Sequence, residues 1–395
     1  MGVIGLIYII NNKRSKINNL AYFLLTHIIK NAKIPLDVSI LRWGVKKMRK
    51  IIDSHLHISK WGDEDFISCF DEYCKEQSIH ALNICAIPSR QSNVCNNIIM
   101  GFYKLARPKN YIHGGIELIN IPIDNMPKDM DAVTQYRELM EIGFDGIKML
   151  EGKPTEHKRI GKDLNHPSLN ALYKEIEKDG THLIMHVNDP DEFWDLKRAP
   201  DWAIKAGWTY TDGTYSSYED IHNQTLKVLE DYPNISVTIA HFFFCGKEPE
   251  ILERLFKLYP NFCVDLTPGG EMYVEFQKNY DYYKEFFNKY SDRLIFGTDS
   301  AYLGDNKYEK WLFNVVTTFI GTDKPVSSFD DKILCGLGMS QEKVDNIFYA
   351  NFERRVGKEP KKIDKEKFRA YIEKYSFALT DEDKKRIEPL IKKYL

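Results

Sequence analysis

Eight short β-rich runs recur along this chain with helical stretches between them, and that alternation limits the fold more than any other feature. The runs are "IIDSHLHIS" from residue 51, "HALNICAIP" from 80, "YIHGGIEL" from 111, "DGIKML" from 145, "HLIMHVND" from 182, "SVTIAHFF" from 236, "FCVDLTPG" from 262 and "LIFGTDS" from 294. Between them, stretches such as "MDAVTQYRELMEIG" and "PSLNALYKEIEKDG" carry apolar residues at helical spacing and close on a glycine, which suits a helix C-terminus. Strands that alternate with helices pair in parallel. Eight such units predict an α/β fold, a (β/α)8 TIM barrel rather than an open doubly wound sheet.

One interval breaks the spacing of about 30 residues expected for a βα unit. Between the fifth and sixth runs lies "DPDEFWDLKRAPDWAIKAGWTYTDGTYSSYED", with Phe193, Trp194, Trp202, Trp208, Tyr210, Tyr215 and Tyr218. Loops that follow barrel strands build the face where chemistry occurs, so this long insertion after strand 5 is expected to cover the pocket mouth. The competing reading is an aromatic side cluster packed on neighbouring helices. Beyond residue 352 the chain turns charged and helical, and "LTDEDKKRIEPLIKKYL" has an N-cap with acids in its first turn and lysines near its end. Residues 358–395 are therefore expected to form a helical C-terminal tail.

The amino-terminal "MGVIGLIYII" is too short to span a bilayer, has no basic stretch before it, and carries Leu6 where a myristoylation signal needs Ser or Thr. Met48 stands just before the first run, so residues 1–47 are read as an extension and residues 48–357 as the barrel. A formal net charge of -2 on 395 residues gives no reason to expect nucleic acid or an anionic membrane as a partner. Seven cysteines without a CxxC pair read as reduced thiols of a cytoplasmic protein. A homo-oligomer is compatible with all of this.

The chemistry lies at the strand ends. Side chains alternate along a strand, so in the first run Asp53, His55 and His57 share one face. Lys148 ends strand four, His186 strand five, His241 strand six and Asp299 strand eight. With their apolar neighbours turned to the helices, these residues face the barrel axis at its C-terminal rim. Four histidines with an aspartate and a lysine on one rim are hard to stabilise without a cation. Imidazole and carboxylate suit a divalent transition metal, zinc first, with manganese, iron and nickel as alternatives. A catalytic site of this kind keeps an open position for water, whose pKa the metal lowers towards about 7. Asp299, beside the metal, is the candidate to take that water's proton and pass it to the leaving group.

The "DSHLH" of strand one, "MHVND" of strand five, "AHFFF" of strand six and "FGTDS" of strand eight together resemble the metal-ligand signature of the amidohydrolase superfamily. The closing "LGMSQEKVDNIFYANFERRVG" is similar to that of its amidohydrolase-related (amidohydrolase 2) branch. The resemblance spans roughly residues 48 to 357. It implies His55, His57, His186 and Asp299 as metal ligands, with Lys148 and His241 either as ligands of a second metal or as catalytic groups. In binuclear members a carboxylated strand-four lysine bridges two metals, whereas in mononuclear relatives the strand-six histidine is unligated. One ion is favoured here, with two as the alternative. A plain Lys148 ammonium would be repelled by two cations, so it is either carboxylated or turned towards Glu151 or an anionic substrate.

The function expected from these residues is a metal-dependent hydrolase that acts on a C–N or C–O bond of a small polar molecule. Alternatives are a metal-dependent decarboxylase of the aminocarboxymuconate semialdehyde decarboxylase type, or a catalytically degenerate barrel acting as a binding protein. No HExxH helix, Gly-rich phosphate loop or GxSxG elbow competes with the metal reading.

Overall fold

The strands are buried along nearly all of their length, as parallel strands covered on both faces must be. The computed structural model describes residues 50–58, 66–88, 92–118, 131–268, 270–301, 307–327 and 333–395. The extension of residues 1–47 lies outside the described residues. In chain order the strands are β1 (Ile52–His57), β2 (Ala81–Cys85), β3 (Tyr111–Gly115), β4 (Gly146–Gly152), β5 (His182–Val187), β6 (Val237–Ile239), β7 (Phe262–Asp265), β8 (Leu294–Ile295) and β9 (Ser300–Ala301). They form one sheet in the order β8-β7-β6-β5-β4-β3-β2-β1-β9, and every pair is parallel.

β8 and β9 are the two ends of the single run "LIFGTDS", and through them the sheet closes into the expected barrel. Leu294 pairs with Val264 of β7, Ser300 pairs with Leu56 of β1, and the Ser54 N–H donates to the Phe296 carbonyl at 3.1 Å. The sequence predicts one continuous eighth strand; the structure breaks it. Asp299 adopts a left-handed φ of 55°, and the buried Asp53 carboxyl accepts the Thr298 N–H at 3.1 Å and its hydroxyl at 2.8 Å. Strand six also stops early. From His241 to Phe244 four consecutive residues have φ between 52° and 57°, a conformation costly for any residue with a Cβ. Two contacts hold that turn: the His241 N–H donates to Asp265 Oδ1 at 2.8 Å, and the Phe242 ring sits among Phe276, Tyr283, Phe286 and Phe287.

The helix-ending glycines behave as expected. Gly143 and Gly180 both cap helices in the left-handed region, and at Gly143 a Cβ would lie 2.2 Å from the Lys362 carbonyl oxygen. That close approach belongs to the tail, whose helices Lys365–Lys374 and Asp381–Tyr394 pack on the outside of the barrel. The Asp364 N–H donates to the Ile142 carbonyl at 2.8 Å, and the Phe368 ring meets Phe102. Thr380 and Asp383 form a capping box at the start of the last helix.

The insertion packs around an aromatic core of its own. Phe193, Ala203 and Tyr210 form a small core of their own, with Trp194 and Tyr215 packed against it. It also stands at the C-terminal end of the strands. There Tyr210 reaches Asp189 just after β5, Trp208 lies 4.3 Å from the Nζ of Lys153 just after β4, and Asp191 pairs with Lys247, which follows β6. No helix among the described residues is long and apolar enough to cross a membrane.

Candidate metal centre

Each histidine at the rim has one ring nitrogen committed outward, and those commitments decide what the other nitrogen presents. His55 Nδ1 lies 2.8 Å from Asp265 Oδ2 at the end of β7, and His57 Nδ1 lies 2.8 Å from the Cys85 carbonyl oxygen at the end of β2. Burial would raise the Asp265 pKa, but the His55 and His241 rings and the Thr267 hydroxyl outweigh it and hold the carboxyl at about 2. A carboxylate and a carbonyl can only accept. Both Nδ1 atoms therefore carry the proton, and Nε2 of each ring is the atom that faces the centre of the rim.

The same count settles His241 and His186. Thr267 gives its one hydroxyl proton to Asp265 Oδ1, so towards His241 Nδ1, 3.2 Å away, its oxygen can only accept. His241 Nε2 is then a lone pair. His186 Nε2 lies 3.3 Å from Asp189 Oδ1. Asp189 is ionised because Lys153 and His186 outweigh its burial and hold its pKa well below the usual carboxylate range. His186 Nδ1 is thus a lone pair too, and it faces His241 Nε2 at 3.2 Å.

Three imidazole Nε2 atoms converge on one carboxylate. Asp299 Oδ1 lies 3.0 Å from His57 Nε2 and 3.6 Å from His55 Nε2, while Asp299 Oδ2 lies 3.9 Å from His241 Nε2. Burial, together with the Lys148 charge, pushes His55 down to about 4, and burial with His186 pushes His241 down to about 3, so both stay neutral at pH 7. Burial lowers His186 as well. The lone pairs of His186 and His241 that face each other, and that of His55 beside the Asp299 carboxylate, repel; a divalent cation between such groups removes the conflict. The outward bonds from Nδ1 to carboxylate or carbonyl are the kind that orient histidine ligands in metal sites.

The structure brings the six residues named from the sequence onto one rim, in unequal roles. His55, His57 and Asp299 form the compact group, with one ligand atom from each lying within 4.8 Å of the others. His241 stands next to it, and His186 lies behind His241. Lys148 is buried with its Nζ 2.9 Å from His55 Nε2, against the very lone pair a cation would need. It is therefore not turned towards Glu151, whose Oε2 is buried without a hydrogen-bond partner.

Three residues that matter here carried no role in the sequence reading. Asp265 ends strand seven as Asp299 ends the eighth run, and applying the same face rule to "FCVD" finds it. Asp189 was visible in "MHVND" as an acid three residues past a candidate ligand. Asp53 was placed with His55 and His57 by alternation, yet the irregular register between Asp53 and Leu56 and its bonds to Thr298 and Tyr73 make it a tie between β1 and the eighth run. Asp265→Asn is expected to weaken zinc binding about 10- to 100-fold, because an amide no longer obliges His55 Nδ1 to carry the proton. Calorimetric titration with zinc checks this, and unchanged affinity would show that Asp265 does not orient His55 for a metal.

No family model matches the chain, and no curated protein matches it in sequence. Solved structures similar to it include an uncharacterized TIM-barrel protein from Bordetella bronchiseptica, with 17% identity, a TM-score of 0.45, and coverage of 78% of this chain and 98% of that one. The apo form of Metarhizium anisopliae IDCase has 12% identity and a TM-score of 0.46, covering 78% of this chain and 97% of that one. An amidohydrolase from Mycoplasma synoviae has 13% identity and a TM-score of 0.41, covering 87% of this chain and 95% of that one. Amidohydrolases are thus among the proteins this chain is similar to.

Proposed function

We propose that the protein is a metal-dependent hydrolase of the amidohydrolase type, acting on a C–N or C–O bond of a small polar molecule. One observation carries this reading: the outward hydrogen bonds of His55, His57 and His241 leave Nε2 of all three rings converging on the Asp299 carboxylate, with His186 behind His241. A divalent transition metal, zinc by its preference for imidazole and carboxylate, would be held by His55, His57 and Asp299. When bound, it supplies Lewis acidity towards a water molecule and a carbonyl oxygen.

The chain's own groups divide the remaining work. The Asp299 side chain is 34% exposed where His55 is 1% exposed, so among the three it is the one that entering water and substrate meet. Asp299 takes a proton from the attacking water and returns it to the departing nitrogen or oxygen. Neutral His241, with its Nε2 lone pair near Asp299 Oδ2, is placed to share that proton. Lys148, 2.9 Å from His55 Nε2, would turn its charge to an anionic group of the substrate where a metal was held by His55.

We favour one ion per chain. Lys148→Ala is then expected to leave metal content unchanged while lowering turnover by about 10- to 100-fold, the scale for losing a group that supports a metal site. Loss of metal in that variant would instead mark a carboxylated lysine bridging two ions. The reading is tested by incubating the zinc-loaded protein with panels of small amides, lactones and esters and following amine or alcohol release. Carbon dioxide release without either product would favour the decarboxylase alternative.

A further inference from the structure

We propose that Lys153, Asp189 and Tyr210 form a clamp that sets the direction of the His186 ring and makes the insertion after strand 5 part of the metal centre. The three are positioning residues, since they act through His186. What His186 does for a metal rests on the reading above. The clamp is a matter of the protein's own hydrogen bonds.

Asp189 is 4% exposed and meets three donors at once. Lys153 Nζ lies 2.7 Å from both of its oxygens, Tyr210 donates its hydroxyl to Oδ2, and His186 Nε2 lies 3.3 Å from Oδ1. The donors come from three separate places: Lys153 follows β4, His186 ends β5, and Tyr210 belongs to the insertion. Asn188, in the left-handed region at φ 66° and donating to the Tyr218 carbonyl at 2.8 Å, turns the chain so that Asp189 comes back to the His186 ring. Tyr210 is itself fixed, because its N–H donates to the Phe193 carbonyl at 2.9 Å and its ring sits in the insertion's core with Phe193 and Trp194.

A free imidazole has two tautomers and two ring orientations. A carboxylate already fixed by a lysine and a tyrosine accepts only, so the ring nitrogen facing it must be the protonated one. That selects Nε2–H and leaves the Nδ1 lone pair facing His241. Packing of the insertion thereby decides whether His186 offers a lone pair inward, which gives this surface element a role at the site.

The barrel interior holds an internal control. Asn83 Nδ2 donates to the Ser54 carbonyl, so Asn83 Oδ1 faces His113 Nδ1 at 2.7 Å as an acceptor. His113 is then protonated on Nδ1, and its Nε2 accepts from His182 Nδ1 at 2.9 Å. His113 and His182 therefore carry the opposite tautomer from His186, far enough from the clamp in the hydrogen-bond pattern to report the integrity of the barrel.

The test is nitrogen-15 NMR of the imidazoles in metal-free protein, followed by zinc titration. In the wild type His186 should show the Nε2–H pattern while His113 and His182 show Nδ1–H. In Asp189→Asn, whose amide can also donate, His186 should shift towards Nδ1–H with His113 and His182 unchanged, and zinc affinity should fall about 10- to 100-fold. Tyr210→Phe, which keeps the ring in the insertion's core, should show a smaller loss of the same kind. A wild-type His186 in the Nδ1–H form, or an Asp189→Asn protein that keeps both tautomer and affinity, overturns the proposal. If Asp189→Asn disturbs His113 and His182 as well, the wild-type tautomer and Tyr210→Phe decide. A protein that binds no zinc refutes the proposed function, and the His186 tautomer still decides the clamp.

Discussion

Asp299→Asn is expected to lower turnover at saturating zinc by about 10²–10⁴-fold, the range for loss of a positioned proton-transfer group. Both Asp299 oxygens are engaged in the structure, Oδ1 beside His57 and His55 and Oδ2 beside His241, and the side chain is the exposed member of the compact group. An asparagine keeps that shape but cannot take up a proton at neutral pH, and it brings an N–H towards lone pairs that need a cation. Zinc affinity should therefore fall as well, and turnover must be measured with the variant saturated. A variant that turns over at the wild-type rate when fully loaded would move proton transfer to His241 or Lys148.

The double variant His55→Ala, His57→Ala should lose bound metal altogether under conditions that load the wild type. Each substitution removes an inward imidazole nitrogen, and together they leave Asp299 alone of the compact group. The loss should exceed the roughly 10- to 100-fold that removal of an outer partner costs. The barrel should survive, because its closure depends on the β1 backbone: the Ser54 N–H still reaches the Phe296 carbonyl and the Asp299 N–H still reaches the His55 carbonyl. Circular dichroism separates the two outcomes. Full metal occupancy in the folded double variant would end the assignment of this rim as the metal centre.

Much of the barrel was legible because its signals are local. Alternation within each run, helical spacing between runs and the glycines at 143 and 180 all act within a few residues. The departures come from long-range acceptors that no local pattern announces. Asp53 takes Thr298 out of the eighth strand from 245 residues away, and Asp265 turns the chain at His241. The site divides in the same way. Which strand ends carry imidazole or carboxylate follows from alternation, whereas the proton on each ring depends on partners such as Asp265, 210 residues from His55. The clamp on His186 needs both Asp189, three residues on, and Tyr210 in the insertion, whose aromatic residues gave no sign of which one would turn inward.

The most direct test of the account is elemental analysis of the wild-type protein after purification without chelator and reconstitution with zinc. The inward imidazole nitrogens and the Asp299 carboxylate predict tightly held divalent metal at about one ion per chain. A protein that remains metal-free, with its four rim histidines unperturbed by added zinc, would contradict it.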